Sequence, residues 1–548
     1  MSRVSLLLAA LLAAILCLSS SVAETPRAEE HAAGFALIRT EDIKEYVDYF
    51  AGPTLEGRDS PSRGLSVSAR YLAKRLEELG LDCTSDSAKV FRASKKGYRP
   101  WLSEEDLAVK TSTSSGTYLR PWTKAFISPV PKRCSLKLAS PAKTFQYGLD
   151  FVPIASADGS AKGELVFCGY GISSKGEDYD DLKGLKLSGK VAILFEGEPE
   201  DDSKFDGARI SKEASIWSKV EVLAKEKVAG ILVVRRDPKG TDGTVSPGPA
   251  FRFTQAIFNG ERERDLPPRK LPPMLVISES CATEVLGTNA TELRKRIDQS
   301  GQPAQLDLDG RRVSFKVKTE LVFAALDNVV GVIRGSDPKL NKQYVVIGAH
   351  YDHTGVGPRG RTDFGADDNA SGTSALLEVI EALVESKPRR SILCVFFSAE
   401  EDGLLGSKAF CRNLPVDKKK LVAMVNLDMI GRGPTEKVAV LGLKQNPKLK
   451  ELVERANTLA TTGVNEIEVC RDDSLFKRSD HYSFHKMLAV PTVFFLEDYP
   501  VENNADYHTW RDTIERLNVQ KVTNTAKLAF NTIWLLANED GRPPRPKF

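Results

Sequence analysis

Residues 344–353 and 391–401 read YVVIGAHYDH and SILCVFFSAEE. Each opens on an unbroken apolar run of strand length and closes on imidazole or carboxylate side chains. Apolar runs without alternation mark strands buried on both faces, the habit of parallel sheets covered by helices. LVAMVNLDM (421–429) and VPTVFFLED (490–498) repeat the pattern. Between them SGTSALLEVIEALVES (371–386) and KLKELVERANTLA (448–460) carry helical spacing. The alternation predicts an α/β fold over 311–540, a mostly parallel mixed sheet flanked by helices. Such sheets bind ligands at the carboxyl ends of their strands. His350, Glu400, Glu401 and Asp428 each stand at or just past such an end.

The chemistry depends on the residues those ends carry. Five of the six histidines fall between 350 and 508, alongside GADDNASG (365–372) and DYHTWRDT (506–513). Asp352 follows His350 by two residues, where it can accept the second ring N–H and fix the tautomer. GADDNASG precedes a helix that Asn369 or Ser371 can cap, so at least one of its aspartates is free for another task. Adjacent residues leaving a strand point apart, so Glu400 and Glu401 can divide their roles between proton shuttle and metal ligand. Asp428 is set among Leu, Met and Ile, and a buried carboxylate needs a cation or donors. His350, Asp368, Glu401, Asp428 and His508 together offer two imidazoles and three carboxylates. Three carboxylates and one hydroxide balance two divalent cations, and mixed N/O donors suit zinc first, then manganese or cobalt. His353, His481 and His485 are left outside this set.

The rest of the chain bounds the setting. At 548 residues it exceeds a single core, and 41% hydrophobic with 28% charged residues is ordinary globular composition. A net charge of +3 gives no electrostatic reason to invoke nucleic acid. Arg3, the apolar run to Leu18 and the small residues Ser21 and Ala23 predict a signal peptide over 1–23, hence a secreted or periplasmic protein. No later stretch is apolar enough to span a membrane. Beyond the signal, Cys83, Cys134, Cys168, Cys281, Cys394, Cys411 and Cys470 make an odd, scattered set, which is no disulfide framework. A polar linker is expected over 24–35. An amphipathic helix, GLSVSARYLAKRLEELG (64–80), falls in an N-terminal part running from 36 to 159. Short apolar runs such as GKVAILFEG (189–197) and PPMLVIS (272–278) predict a β-rich inserted module over 160–310, which has no histidine. The tail 541–548 reads as flexible, and oligomeric state is unreadable.

AHYDH, GADDNASG, SAEE, NLDMIG, SDH and YHT occur in the order and approximate spacing of the M28-type zinc aminopeptidase family, which this chain resembles over 37–80 and 160–535. GYGI with YDDLKGLKLSGKVAILFEG is similar to the protease-associated (PA) domain often inserted there. The resemblance implies a co-catalytic pair of zinc ions. His350 and Asp428 would hold one, Glu401 and His508 the other, with Asp368 bridging. Asp352 would orient His350, Glu400 would be the general base for a metal-bridging hydroxide, and Tyr507 would donate to the oxyanion. Trp510 departs from the proline common in the family. The implied activity is release of N-terminal residues from peptide substrates. A carboxypeptidase or dipeptidase on the same site, and a metal-free receptor-like binding protein, are the alternatives.

Overall fold

The computed structural model describes residues 27–84, 117–154, 158–199 (without 175 and 177), 215–235, 254–258, 261–262, 271–308, 310–356, 362–498 and 504–547. The signal peptide expected over 1–23 lies outside them. The chain divides into two compact units: one of 1–123, 325–355 and 362–548, the other of 124–324 and 356–361.

The first unit is built on the sheet that the apolar runs predict. Its strands are β1 (Thr319–Ile333, entering this unit at Ala325), β2 (Tyr344–His350), β3 (Ser391–Phe397), β4 (Leu421–Leu427), β5 (Lys437–Leu441), β6 (Glu466–Val469) and β7 (Thr492–Leu496). They lie in the order β1-β3-β2-β4-β7-β5-β6. The β3-β2-β4-β7 core is parallel, while β1 and β5 join it antiparallel. Every residue of β3, β4 and β7 is buried, as strands covered on both faces require. One face is covered by α2 (Gly372–Ser386) and α3 (Val519–Asn538). On the other, Val346, Val395, Phe397 and Met424 pack with Phe410 and Phe484 from the helices Leu405–Arg412 and His481–Leu488. The register aligns the strand ends: His350 pairs with Phe397 and Gly348 with Asn426, so the ligand-bearing ends finish side by side.

α1 (Arg63–Glu78) forms where expected, with Ser62 capping Leu65 N and Gly80 at φ +72° just beyond the end. Two expectations are corrected. Residues 27–35 of the expected linker belong to a helix over 27–37, and buried His31 meets Asn531 of α3 at 2.8 Å and stacks on Phe35. The tail is pinned rather than loose. Arg542 donates to Lys419 O at 3.1 Å, and Arg545 donates to Leu488 O and Lys418 O at 3.0 and 2.7 Å. Both segments look polar, but their side chains satisfy groups on the sheet domain. Among the described residues no helix is long and apolar enough to cross a membrane.

The second unit has its own sheet and core. Strands Gly159–Phe167, Val191–Phe195, Gly230–Val234 and Met274–Ile277 run parallel, and helices Ile216–Lys225, Glu279–Leu286 and Ala290–Ser300 pack with them. It begins earlier than 160, because Ser135–Leu138 and Phe151–Pro153 pair with Arg312–Val317 and Met274–Ile277. Those short strands fall in a stretch with little periodicity, which hid their allegiance. The seven described cysteines are free.

Candidate metal centre

Three strand ends and two loops converge on one place. His350 Nε2 lies 3.1 Å from Asp428 Oδ1 and 3.4 Å from Asp368 Oδ1. His508 Nε2 lies 2.9 Å from Glu401 Oε2 and 3.0 Å from Asp368 Oδ2, without hydrogen-bond geometry to either. His353 Nδ1 is 2.9 Å from Glu401 Oε1. The donors form two groups, His350/Asp368/Asp428 and His353/Asp368/Glu401/His508, and within each the ligand atoms lie within 4.8 Å of one another. Asp368 belongs to both. All five side chains singled out as ligands from the sequence are thus brought together. His353, set aside there, joins them as the orienting partner of Glu401; its short spacing from His350 gave no sign of that contact.

The backbone at these ends is bent to aim consecutive side chains apart. Ala399, Met429 and His508 take left-handed φ of 54°, 52° and 53° beside or at the key residues. Such conformations cost about 1–3 kcal/mol each in non-glycine residues and cluster at functional sites. Gly365 has φ +61°, and a Cβ there would meet Asp368 O at 2.2 Å and the His353 ring at 2.5 Å, so only glycine lets this loop close.

A buried framework holds the donors. Asn369 Oδ1 accepts from Gly372 N at 2.9 Å and Met429 N at 3.2 Å, capping α2 while tying it to the Asp428 loop. Ser479 donates to Asp428 Oδ2 at 2.6 Å and accepts from Asn426 at 2.8 Å. Asp352 was expected to steady the His350 ring by its carboxylate. Its backbone carbonyl is the nearer partner of Nδ1, at 3.2 Å against 3.6 Å. Besides pairing with the His350 ring, the carboxylate accepts Glu400 N at 3.1 Å and Glu401 N at 3.4 Å, so it also aims the glutamate pair. Arg58, fully buried in the N-terminal segment, donates to Tyr351 O at 2.9 Å, Phe364 O at 2.9 Å and Gly365 O at 3.0 Å. Nothing in PTLEGR (53–58) announces that role.

Electrostatics identify what the place lacks. Burial depresses the His350 and His508 imidazoles, but Asp428 and Glu401, respectively, outweigh it. His350 ends well above the usual histidine range and His508 at about 10. Burial also lifts Asp368, helped by Glu401. Glu401 behaves oppositely: burial raises it, yet His508 holds it well below the usual carboxylate value. Buried carboxylates that pull protons onto facing imidazoles form a site short of positive charge. Imidazole nitrogens and carboxylate oxygens at this spacing suit a borderline divalent ion in each group.

Glu400 belongs to neither group. Burial lifts its carboxyl well above the ordinary value, with His350 opposing. It lines a pocket with Asp368, Asp428 and Tyr507, whose apolar wall is Met429, Leu475, Phe494 and Leu496. Arg478 completes the lining and donates to Tyr507 Oη at 3.0 Å. The Tyr507 ring stacks on His508 with centroids 3.8 Å apart. His481 and His485 stand apart among aromatics. His481 stacks on Phe494 at 4.6 Å, and burial takes its ring down to about 3, so it is neutral.

Residues 328–533 match the family model of Peptidase family M28. A probable leucine aminopeptidase of Trichophyton verrucosum is 31% identical over 212 residues, 37% of this chain and 57% of that protein. The chain thus spans little more than half the length of such relatives. A glutamate carboxypeptidase 2 homolog of Caenorhabditis elegans is 24% identical over 544 residues, 87% of this chain and 64% of its own. Among solved structures, a zinc aminopeptidase from Bacillus subtilis shares the fold with TM-score 0.58 and 17% identity, covering 93% of this chain and 98% of its own. An aminopeptidase from Aneurinibacillus sp. strain AM-1 does so with TM-score 0.57 and 19% identity, covering 95% and 98%.

Proposed function

We propose that the M28 domain of residues 328–533 makes this chain a zinc-dependent exopeptidase that releases N-terminal residues from peptides, acting outside the cytoplasm. The observation that carries the reading is Asp368, one carboxylate shared by two donor groups. His350, Asp368 and Asp428 would hold one zinc, and Asp368, Glu401 and His508 the other. His353 fixes Glu401 through Oε1 and leaves Oε2 toward His508. A zinc pair would supply Lewis acidity and a water of lowered pKa.

The remaining steps belong to the chain's own groups. Glu400 is buried, lies off both groups and has a raised pKa, which suits it to take a proton from the attacking water and return it to the leaving amine. Asp352 keeps that carboxyl in place through the Glu400 amide. The apolar wall of Met429, Leu475, Phe494 and Leu496 accepts an aliphatic side chain beside the scissile bond. Tyr507 is the candidate donor to the developing oxyanion; burial raises its hydroxyl well above the usual tyrosine value, with Arg478 opposing, so it keeps its proton to donate. The 160–310 module is read as PA-like.

Arg478 also favours a second reading, carboxypeptidase or dipeptidase action, since a guanidinium in the pocket can hold a substrate carboxylate. A panel of short peptides with free or acetylated N-termini and free or amidated C-termini, with products identified by mass, separates the two. Stepwise loss of N-terminal residues from free but not acetylated peptides is expected. Cleavage of acetylated peptides only when the C-terminus is free would replace the first reading by the second.

A further inference from the structure

Asp512 lies four residues past His508 and is 1% exposed. It belongs to neither donor group, yet its carboxylate reaches the backbone of the shared ligand. Asp367 N donates to Oδ1 and Oδ2 at 3.0 and 3.1 Å, and Asp368 N donates to Oδ2 at 3.0 Å. Ala366 N donates to its backbone carbonyl at 3.3 Å. Behind it stands Arg432, whose Nη2 is 3.3 Å from Asp512 Oδ1 and whose Nη1 is 3.1 Å from Asp506 Oδ2. Arg432 ends the loop begun by Asp428, and in that loop Gly431 N donates to Asp367 Oδ1 at 2.8 Å.

From these contacts we infer that Asp512 and Arg432 form a latch joining three loops, which carry Asp368, Asp428 and His508, and that the latch sets the spacing of the two donor groups. The inference rests on the zinc reading above. The loop of Asp368 presents successive amide donors, and a carboxylate, which only accepts, answers two of them at once while its charge meets Arg432. Asparagine would turn an NH2 toward either the amides or the guanidinium, so no rotamer serves both. Because one end of the latch sits on the His508 loop and the other on the Asp428 loop, a change at Asp512 or Arg432 reaches both donor groups although neither residue touches a donor atom. Both are positioning residues.

The test is zinc affinity of the full chain, measured by competition with a chromophoric chelator, for wild type and for Asp512→Asn, Arg432→Gln and Arg432→Lys, with folding checked by circular dichroism. Outer partners of metal ligands are worth about 10–100-fold in affinity. Asp512→Asn and Arg432→Gln are expected to weaken zinc by about that factor, with Arg432→Lys recovering most of the loss, which general destabilisation would not produce. Arg432 is the more accessible partner, so its variants decide the matter if Asp512→Asn does not fold. Folded variants that bind zinc within about threefold of wild type would overturn the latch and leave the zinc reading standing. A wild-type chain that binds no zinc would overturn both.

Discussion

Both units of this protein bury charge, and they use it in opposite ways. In the second unit Asp181, Lys219 and Arg294 are almost fully enclosed. Asp181 accepts Tyr170 N at 2.9 Å and Ile172 N at 3.1 Å. Lys219 donates to the carbonyls of Phe195 and Gly197. Arg294 pairs with Glu279 at 3.2 Å and lies 4.6 Å above the Phe195 ring. These charges are spent on backbone groups and on one another. In the first unit Asp368, Glu400, Glu401 and Asp428 converge with His350, His353 and His508, and the carboxylates outnumber the imidazoles. Buried charge is therefore no mark of a site by itself. Convergent acceptors without enough cations are, because such a cluster is costly until a cation enters.

The contrast breaks most visibly at Glu400. Glu400→Gln keeps shape and removes the proton acceptor, so kcat should fall by about 10²–10⁴-fold, the usual worth of a general base. Zinc content by elemental analysis should stay at the wild-type value. Near wild-type turnover would move the base elsewhere. Next in size is His508→Ala, which strips one donor from the group of Glu401 and leaves that of His350 whole. On the proposed zinc pair, bound zinc per chain is expected to drop from two toward one; unchanged stoichiometry would take His508 out of the coordination.

Legibility in the sequence divides along the same line. The parallel sheet was readable because unbroken apolar runs have few other uses; His350, Glu401 and Asp428 were readable because each ends such a run, and Asp368 because it sits in a small-residue loop, whereas His508, in the polar loop DYHTWRDT, was weak evidence by itself. Arg58 and Asp512 escaped because they act on backbone carbonyls and amides, and no residue pattern reports that such a group lies nearby; Arg432 escaped because its carboxylate partners, Asp506 and Asp512, lie 74 and 80 residues away. His353 escaped because only the folded loop brings its Nδ1 to Glu401. Lys219 was hidden differently. Within IWSKVEVLAK (216–225) it reads as the polar face of an amphipathic helix, yet it is 2% exposed. The helix at 27–37 and the pinned tail look polar for the same reason: their partners lie far away in sequence.

Lys219 offers the finest test of the contrast, since charge spent on architecture should tune stability and leave the metal centre alone. Burial takes its ammonium from 10.5 down to about 7, with Asp181 opposing. Across that window the unfolded chain holds a proton that the folded chain has released, so stability rises with pH, by at most about 1.4 kcal/mol per pH unit. Burial raises the Asp181 carboxyl to about 6, and between 3.8 and that value the folded chain holds the extra proton, so stability falls as pH rises there. The two slopes place the weakest point of this cluster near pH 6 to 7. Urea midpoints of the full chain from about pH 7 to about pH 9, read by hydrogen exchange in Val191–Phe195 and Gly230–Val234, should climb in the wild type. Lys219→Met should flatten that climb while leaving zinc content unchanged. An equal climb in both proteins would mean that the Lys219 ammonium keeps its proton in the fold across this range.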